Sequence, residues 1–305
     1  MNGIIEYDQK LTSLPRFLLI RQLSQNKFYW NIIFIFTLIY HIVIILLSVY
    51  IIPPKTIFII CQCFIRVEFI QDVTVIFSTT FFLQQLEYRF QTLNDSWEYL
   101  LPGFPAVPND LTQPVTGMTL DNLRLLHAEL SDLLRIFSKG YGQMLLGFFV
   151  FNYINMVACF FFHILFPMNY VTDNEFKIYD FAVNSLPYIF WLQNMVFILS
   201  IIIGASRVHD KKRKMISYLR LIRISNLSPN LKIQIKFFMN QISVFESSEI
   251  TAYGIFNINL NLVISIIILL ITGLVTIIQM KEHPIMLNIK QDFNKLMQKL
   301  INDTA

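Results

Sequence analysis

Residues Ile255–Met280 read IFNINLNLVISIIILLITGLVTIIQM, an uncharged apolar run longer than the roughly 20 residues that a bilayer span needs. One polar line crosses it. Asn257, Asn261, Ser265, Thr272, Thr276 and Gln279 recur at helical steps and fall within an arc of about 100° at about 100° per residue. Asn259 lies off that line. A helix facing lipid on all sides gains nothing from such a line. A helix lining water, or packed on polar partners, does.

The rest of the chain points to the same solvent. Of its 305 residues, 55% are hydrophobic and 14% charged, with a mean hydropathy of +0.54. One soluble core could not cover that much apolar surface. Three further uncharged stretches are long enough to span: Phe28–Ile52, Gln143–Pro167 and Phe181–Gly204. A fifth, Thr56–Leu83, carries Arg66, Glu68 and Asp72. The first 27 residues are not a signal peptide, because basic residues are scattered through them and no cleavage site follows. The fold expected is an all-α membrane protein with five transmembrane helices and helical cytoplasmic extensions.

Loop charge sets the orientation. Arg207–Gly254 holds nine Lys or Arg against three acids, so it is expected inside. Alternation then puts the N-terminus inside and the C-terminus outside. The expected segments are 1–27 cytoplasmic, 28–83 the first two spans, 84–142 a cytoplasmic helical region with a Pro-rich loop, and 143–204 the third and fourth spans. Then come 205–254, a basic cytoplasmic helical region, 255–280 the last span, and 281–305 an extracellular tail. An outside tail makes Asn302, in Asn302-Asp303-Thr304, a glycosylation candidate.

The cytoplasmic segments keep helical patterning. Phe82–Leu100 extends the second span. Thr119 is the expected N-cap of a helix that carries Leu123, Leu126, Leu130, Leu133 and Phe137 on one face. That helix either lies on the membrane surface or joins a bundle beneath it. Leu231, Ile235, Phe238, Ile242 and Phe245 mark another face, behind Ser228-Pro229.

Little else suggests chemistry. There is no phosphate loop, no metalloprotease or hydrolase motif, and no Ser/His/Asp grouping. Cys61, Cys63 and Cys159 all fall in expected spans and suit neither a disulfide framework nor a metal site. No enzymatic activity, cofactor, metal or nucleic-acid partner is expected. Arg66 lies about 15 Å along its span at about 1.5 Å per residue. It sits too far around the helix from Glu68 to pair with it. Arg66, Glu68 and Asp72 form either an interhelical polar clamp or a hydrated ligand pocket. Tyr188 and Trp191 belong to either an interfacial aromatic belt or a ligand site. The polar line serves either helix packing or a pore enclosed by several copies.

Gly254-Ile255-Phe256, followed by Thr272-Gly273-Leu274-Val275-Thr276-Ile277-Ile278-Gln279-Met280, resembles the closing signature of insect gustatory receptors. That signature is Thr-Tyr, a hydrophobic run, then Gln-Phe. Here Gly273 stands for the tyrosine and Met280 for the phenylalanine. Tyr88-Arg89-Phe90-Gln91-Thr92-Leu93-Asn94 and Leu126-His127-Ala128-Glu129-Leu130 are similar to stretches at the end of that family's fourth helix and before its fifth. The resemblance implies a taste receptor subunit, a tetrameric ligand-gated cation channel whose last helix lines the pore. On its mapping the five spans are the third to seventh of seven, so a shortened member lacking the first two is expected. Gln279 and Met280 would fall at the outer gate. The implied partners are a small-molecule tastant, membrane lipid, pore cations and related receptor subunits. The implied location is the plasma membrane of sensory neurons.

Overall fold

Helices dominate the computed structural model. It describes residues 2–12, 56–100, 113–165, 177–221, 229–246 and 250–289 with isolated positions elsewhere, the side chains of 2, 12, 56–71, 99–100, 113–119, 162–163, 165, 177–187, 189–190, 221, 231 and 245–246 excepted. In chain order the elements are α1 (Asn2–Thr12), α2 (Thr56–Leu100), α3 (Gln113–Leu165), α4 (Lys177–Leu221), α5 (Pro229–Glu246), β1 (Thr251–Ala252), β2 (Phe256–Asn257) and α6 (Leu260–Met280). They fall into two compact units. The first combines Met1–Ile39, Phe69–Leu146 and Ser200–Leu260. The second combines Tyr40–Glu68, Gly147–Leu199 and Asn261–Ala305.

Among the described residues, three helical segments are long and apolar enough to cross a membrane: Leu120–Phe161, Trp191–Arg220 and Leu260–Met280. Three of the five expected spans overlap them. Thr56–Leu83 lies on α2, which runs without a break to Leu100. Phe28–Ile52 falls outside the described residues, apart from isolated positions.

The first unit takes in the helical extensions expected beyond the membrane. Leu83, Leu86, Phe90, Leu93 and Trp97 recur every three or four residues on α2 and are buried. Leu123, Leu126, Leu130, Leu134 and Phe137 do the same on α3, with Leu134 buried where Leu133 was expected, as do Ile235, Phe238 and Ile242 on α5. Each large side chain of this kind contributes about 1.5–3 kcal/mol on burial. His127 is fully buried among them, edge-on to Phe90 and to Phe238 at ring separations of 6.2 and 5.6 Å. Asn94 donates to the carbonyl of Lys211 at 2.8 Å, and Gln241 to that of Arg124 at 3.0 Å. The α3 face is thus packed against α2 and α5.

Two boundaries differ from the expected ones. The helix expected to start at Thr119 begins at Gln113. Pro114 suits a first helical turn, where its missing N–H has no carbonyl to reach. The last helix begins at Leu260, not Ile255. Thr251–Asn257 forms a hairpin with Thr251 opposite Asn257 and Ala252 opposite Phe256. Its turn is closed by the Ile255 N–H on the Ala252 carbonyl at 3.0 Å. Tyr253 (φ 53°) and Gly254 (φ 74°) are the two left-handed central residues of such a tight turn. Asn259 then stands directly before the helix, at a position asparagine favours.

The short α1 was not apparent from the sequence. Tyr7 and Leu11, one turn apart, are buried in the first unit. Gly3 lets the helix close on Leu133, since an added Cβ would lie 2.8 Å from its Cδ2. Arg89 on α2 is buried and donates from Nε and Nη2 to the two carboxylate oxygens of Asp8, at 3.0 and 2.6 Å. Lys10 pairs with Glu6 and with Glu129 of α3.

Candidate functional site

The polar line sits on the exposed side of α6. Ile266, Leu270 and Ile277 form its buried ridge. Asn261, Ser265, Thr272, Thr276 and Gln279 are all exposed. At about 100° per residue their mean direction lies about 135° around the helix from that ridge. Asn257, expected on the same line, is a correction: it belongs to β2, because the hairpin turn holds the chain out of the helix until Leu260. Without it the arc narrows from about 100° to about 60°.

The hydroxyls on this line bond back to their own helix. Ser265 donates to the carbonyl of Asn261 at 3.3 Å, Thr272 to that of Ile268 at 2.9 Å and Thr276 to that of Thr272 at 2.9 Å. Their protons are therefore used, and their oxygen lone pairs face outward as acceptors. The arrangement is uncharged and rich in acceptors, suited to water or a hydrated cation. Gln279 and Met280 close the helix and are both exposed.

Beside that ridge, α6 meets α3 in the second unit. Gly273 is the contact point: a Cβ there would lie 3.6 Å from both the Tyr153 hydroxyl and Val157 Cγ2. The Tyr153 hydroxyl donates to the Leu269 carbonyl at 3.3 Å. Gly273, one of the two departures from the gustatory-receptor signature, is thus where a tyrosine from α3 reaches α6.

The ligand-site candidates lie on α2 and α4. Arg66 and Glu68 lie on α2, with side chains outside those described. Asp72, farther along α2, is half-buried. Tyr188 is exposed, whereas Trp191 is half-buried and edge-on to Phe160, ring centroids 5.7 Å apart. The Trp191 indole N–H and the Gln193 and Asn152 side-chain oxygens are buried with no hydrogen-bond partner among the described residues. Asn152 was missed in the sequence, although an amide inside an apolar span is the signal that marks it. Cys159 is a half-buried free thiol; the side chains of Cys61 and Cys63 are not among those described. Asn302 falls outside the described residues.

A search of curated proteins found no match. A family model for the 7tm chemosensory receptor matches residues 8–283, nearly the whole chain, and is consistent with the resemblance to insect gustatory receptors. It spans the buried Arg89 and His127 positions, the hairpin and all of α6. On that match, together with helices fit to cross a membrane, the chain is a membrane protein of the chemoreceptor kind and belongs to the 7tm chemosensory receptor family.

Proposed function

We propose that this chain is a taste receptor subunit, a ligand-gated non-selective cation channel of the insect gustatory receptor type. In this reading it is a multi-pass protein of the sensory-neuron plasma membrane, working as a homo- or heterotetramer with related subunits. A small tastant binds among the spans before α6, with Arg66, Glu68, Asp72, Tyr188 and Trp191 as candidate contacts. The pore is lined by Asn261, Ser265, Thr272, Thr276 and Gln279, with Gln279 and Met280 at the gate.

One observation carries the reading. The polar line of α6 is exposed, turned away from the helix's buried ridge. With the hydroxyls bonded to their own helix, the exposed Asn261 and Gln279 amides of a membrane helix still need water or a polar neighbour. Copies arranged about an axis supply both, because each turns the same line inward. Hydroxyl oxygens with spare lone pairs favour a hydrated cation over an anion without binding it tightly.

Voltage-clamp recording tests this. The intact chain is expressed alone and with related subunits, and sucrose, fructose, caffeine and quinine are applied. An inward cation current is expected. Thr276→Lys should suppress it, and Gln279→Glu should raise cation over anion permeability. Silence in every combination overturns the channel reading. If the substitutions change assembly but not selectivity, the line serves packing in a non-conducting or transporter-like subunit.

A further inference from the structure

The hairpin ahead of α6 is fastened to α3 at two residues one helical turn apart. Ser138 accepts the Thr251 N–H at 2.9 Å and donates to the Thr251 carbonyl at 3.3 Å, and the two hydroxyls pair at 3.1 Å with either as donor. The same Thr251 hydroxyl accepts the Gly254 N–H at 3.1 Å, tying the clamp to the turn. Gly142, four residues along, leaves no room: an added Cβ would lie 2.7 Å from the Tyr253 backbone nitrogen and 3.1 Å from its Cα. Backbone therefore rests directly on backbone.

Little slack separates this clamp from α6. The Ile258 N–H bonds the Ile250 carbonyl at 2.8 Å, carrying the hairpin pairing one step past β2. Ile250, Ala252 and Ile258 are all buried. Only Asn259 then remains before Leu260 opens the helix. In the other direction α3 runs unbroken from Gly142 to Tyr153 and Val157, which touch α6 at Leu269 and Gly273. The helix that holds the hairpin within the first unit thus also touches α6 within the second, at two residues one turn apart.

We propose that Ser138 and Gly142 are positioning residues for gating: they clamp the Thr251–Asn257 hairpin so that displacement of α3 is delivered to the start of α6. The inference rests on the channel reading above. A loose loop would absorb such a displacement. A hairpin with a fixed turn, a filled backbone contact and a one-residue exit passes it on.

The experiment measures, for the full chain with its partner subunits, the ratio of tastant-stimulated to basal current and the amount of chain at the cell surface. Coupling of this kind is typically worth roughly 5–150-fold. Ser138→Ala should lower the ratio about tenfold while surface amount is kept. Ser138→Thr, which retains the hydroxyl, should preserve the ratio. Gly142→Ala, which pushes the turn off α3, should lower it as well. If Gly142→Ala does not reach the surface, Ser138→Ala carries the test by itself. A purely structural role would lower surface amount and both currents together and leave the ratio intact, which overturns the coupler. So does an unchanged Ser138→Ala in a conducting background. A silent unaltered chain overturns the channel reading instead, and the coupler with it.

Discussion

Arg89 is a buried cation that depends on one helix turn outside its own element. Its guanidinium makes four hydrogen bonds, two to the Asp8 carboxylate and two to Gln85. Asp8 is itself half exposed, so removing it should cost about 1–3 kcal/mol, short of the penalty for a fully enclosed pair. Its neighbours on α1 add a pH dependence. Burial pushes the Tyr7 phenol above its ordinary 10.0. Hydrogen bonds to Glu129, and then to Glu6, raise the ammonium of Lys10. Both folded values lie above those of the unfolded chain. Their contributions are therefore fully present below about pH 10 and are lost as the pH rises through the folded values. A spin label on the exposed Ile5, introduced as Ile5→Cys with the native cysteines replaced, reads the outcome. It should stay restricted up to about pH 10 and loosen above it. With Asp8→Ala it should already be mobile at neutral pH. Equal mobility in both chains at neutral pH would rule out docking of α1 through Asp8.

Among the elements, α6 shows what Gly273 contributes. Its added Cβ would meet Tyr153 and Val157 at ordinary contact distance, so Gly273→Ala should be tolerated and should stabilise the helix by up to about 1 kcal/mol. Gly273→Tyr should displace Tyr153 from the Leu269 carbonyl and lower the thermal stability of the detergent-solubilised protein; an unchanged melting temperature would refute the close contact. These elements were unequally legible in the sequence. The face of α5 is readable because Ile235, Phe238 and Ile242 bury a single stripe, and apolar periodicity is what a one-sided helix imposes. The start of α6 is not. Asn257 fits the helical arc as well as its neighbours do, and a two-residue strand is too short to leave a period of its own. Only the left-handed pair Tyr253-Gly254 separates the two cases. Helix α1 is too short to be stable in isolation, and what holds it lies about 80 residues away at Arg89. The clamp at Ser138 and Gly142 was illegible for the same reason: a serine and a glycine on α3 acquire meaning only when a hairpin over 100 residues later settles on them.

At the scale of the whole molecule, α6 presents two outward strips beside its buried ridge. Ile264, Ile267, Ile268, Ile271, Val275 and Ile278 form an apolar strip that suits lipid or a neighbouring copy. The Asn261 and Gln279 amides on the polar line suit neither lipid nor solitude, whereas its hydroxyls are bonded to their own helix. If copies close about an axis with that line inward, equivalent residues on it approach one another, while residues on the ridge remain inside their own subunit. Gln279 and Ile277 separate these cases, because they are two positions apart and point to different sides of the helix. In a chain whose native cysteines are replaced, Gln279→Cys should form disulfide-linked dimers in oxidised membranes, seen on non-reducing gels and reversed by reductant. Ile277→Cys, buried against its own unit, should remain monomeric under the same conditions. Dimers from both positions alike would mean that α6 contacts other copies without a fixed face. Dimers from neither would mean that the polar line does not meet its own copies, and a pore shared among them would then be untenable.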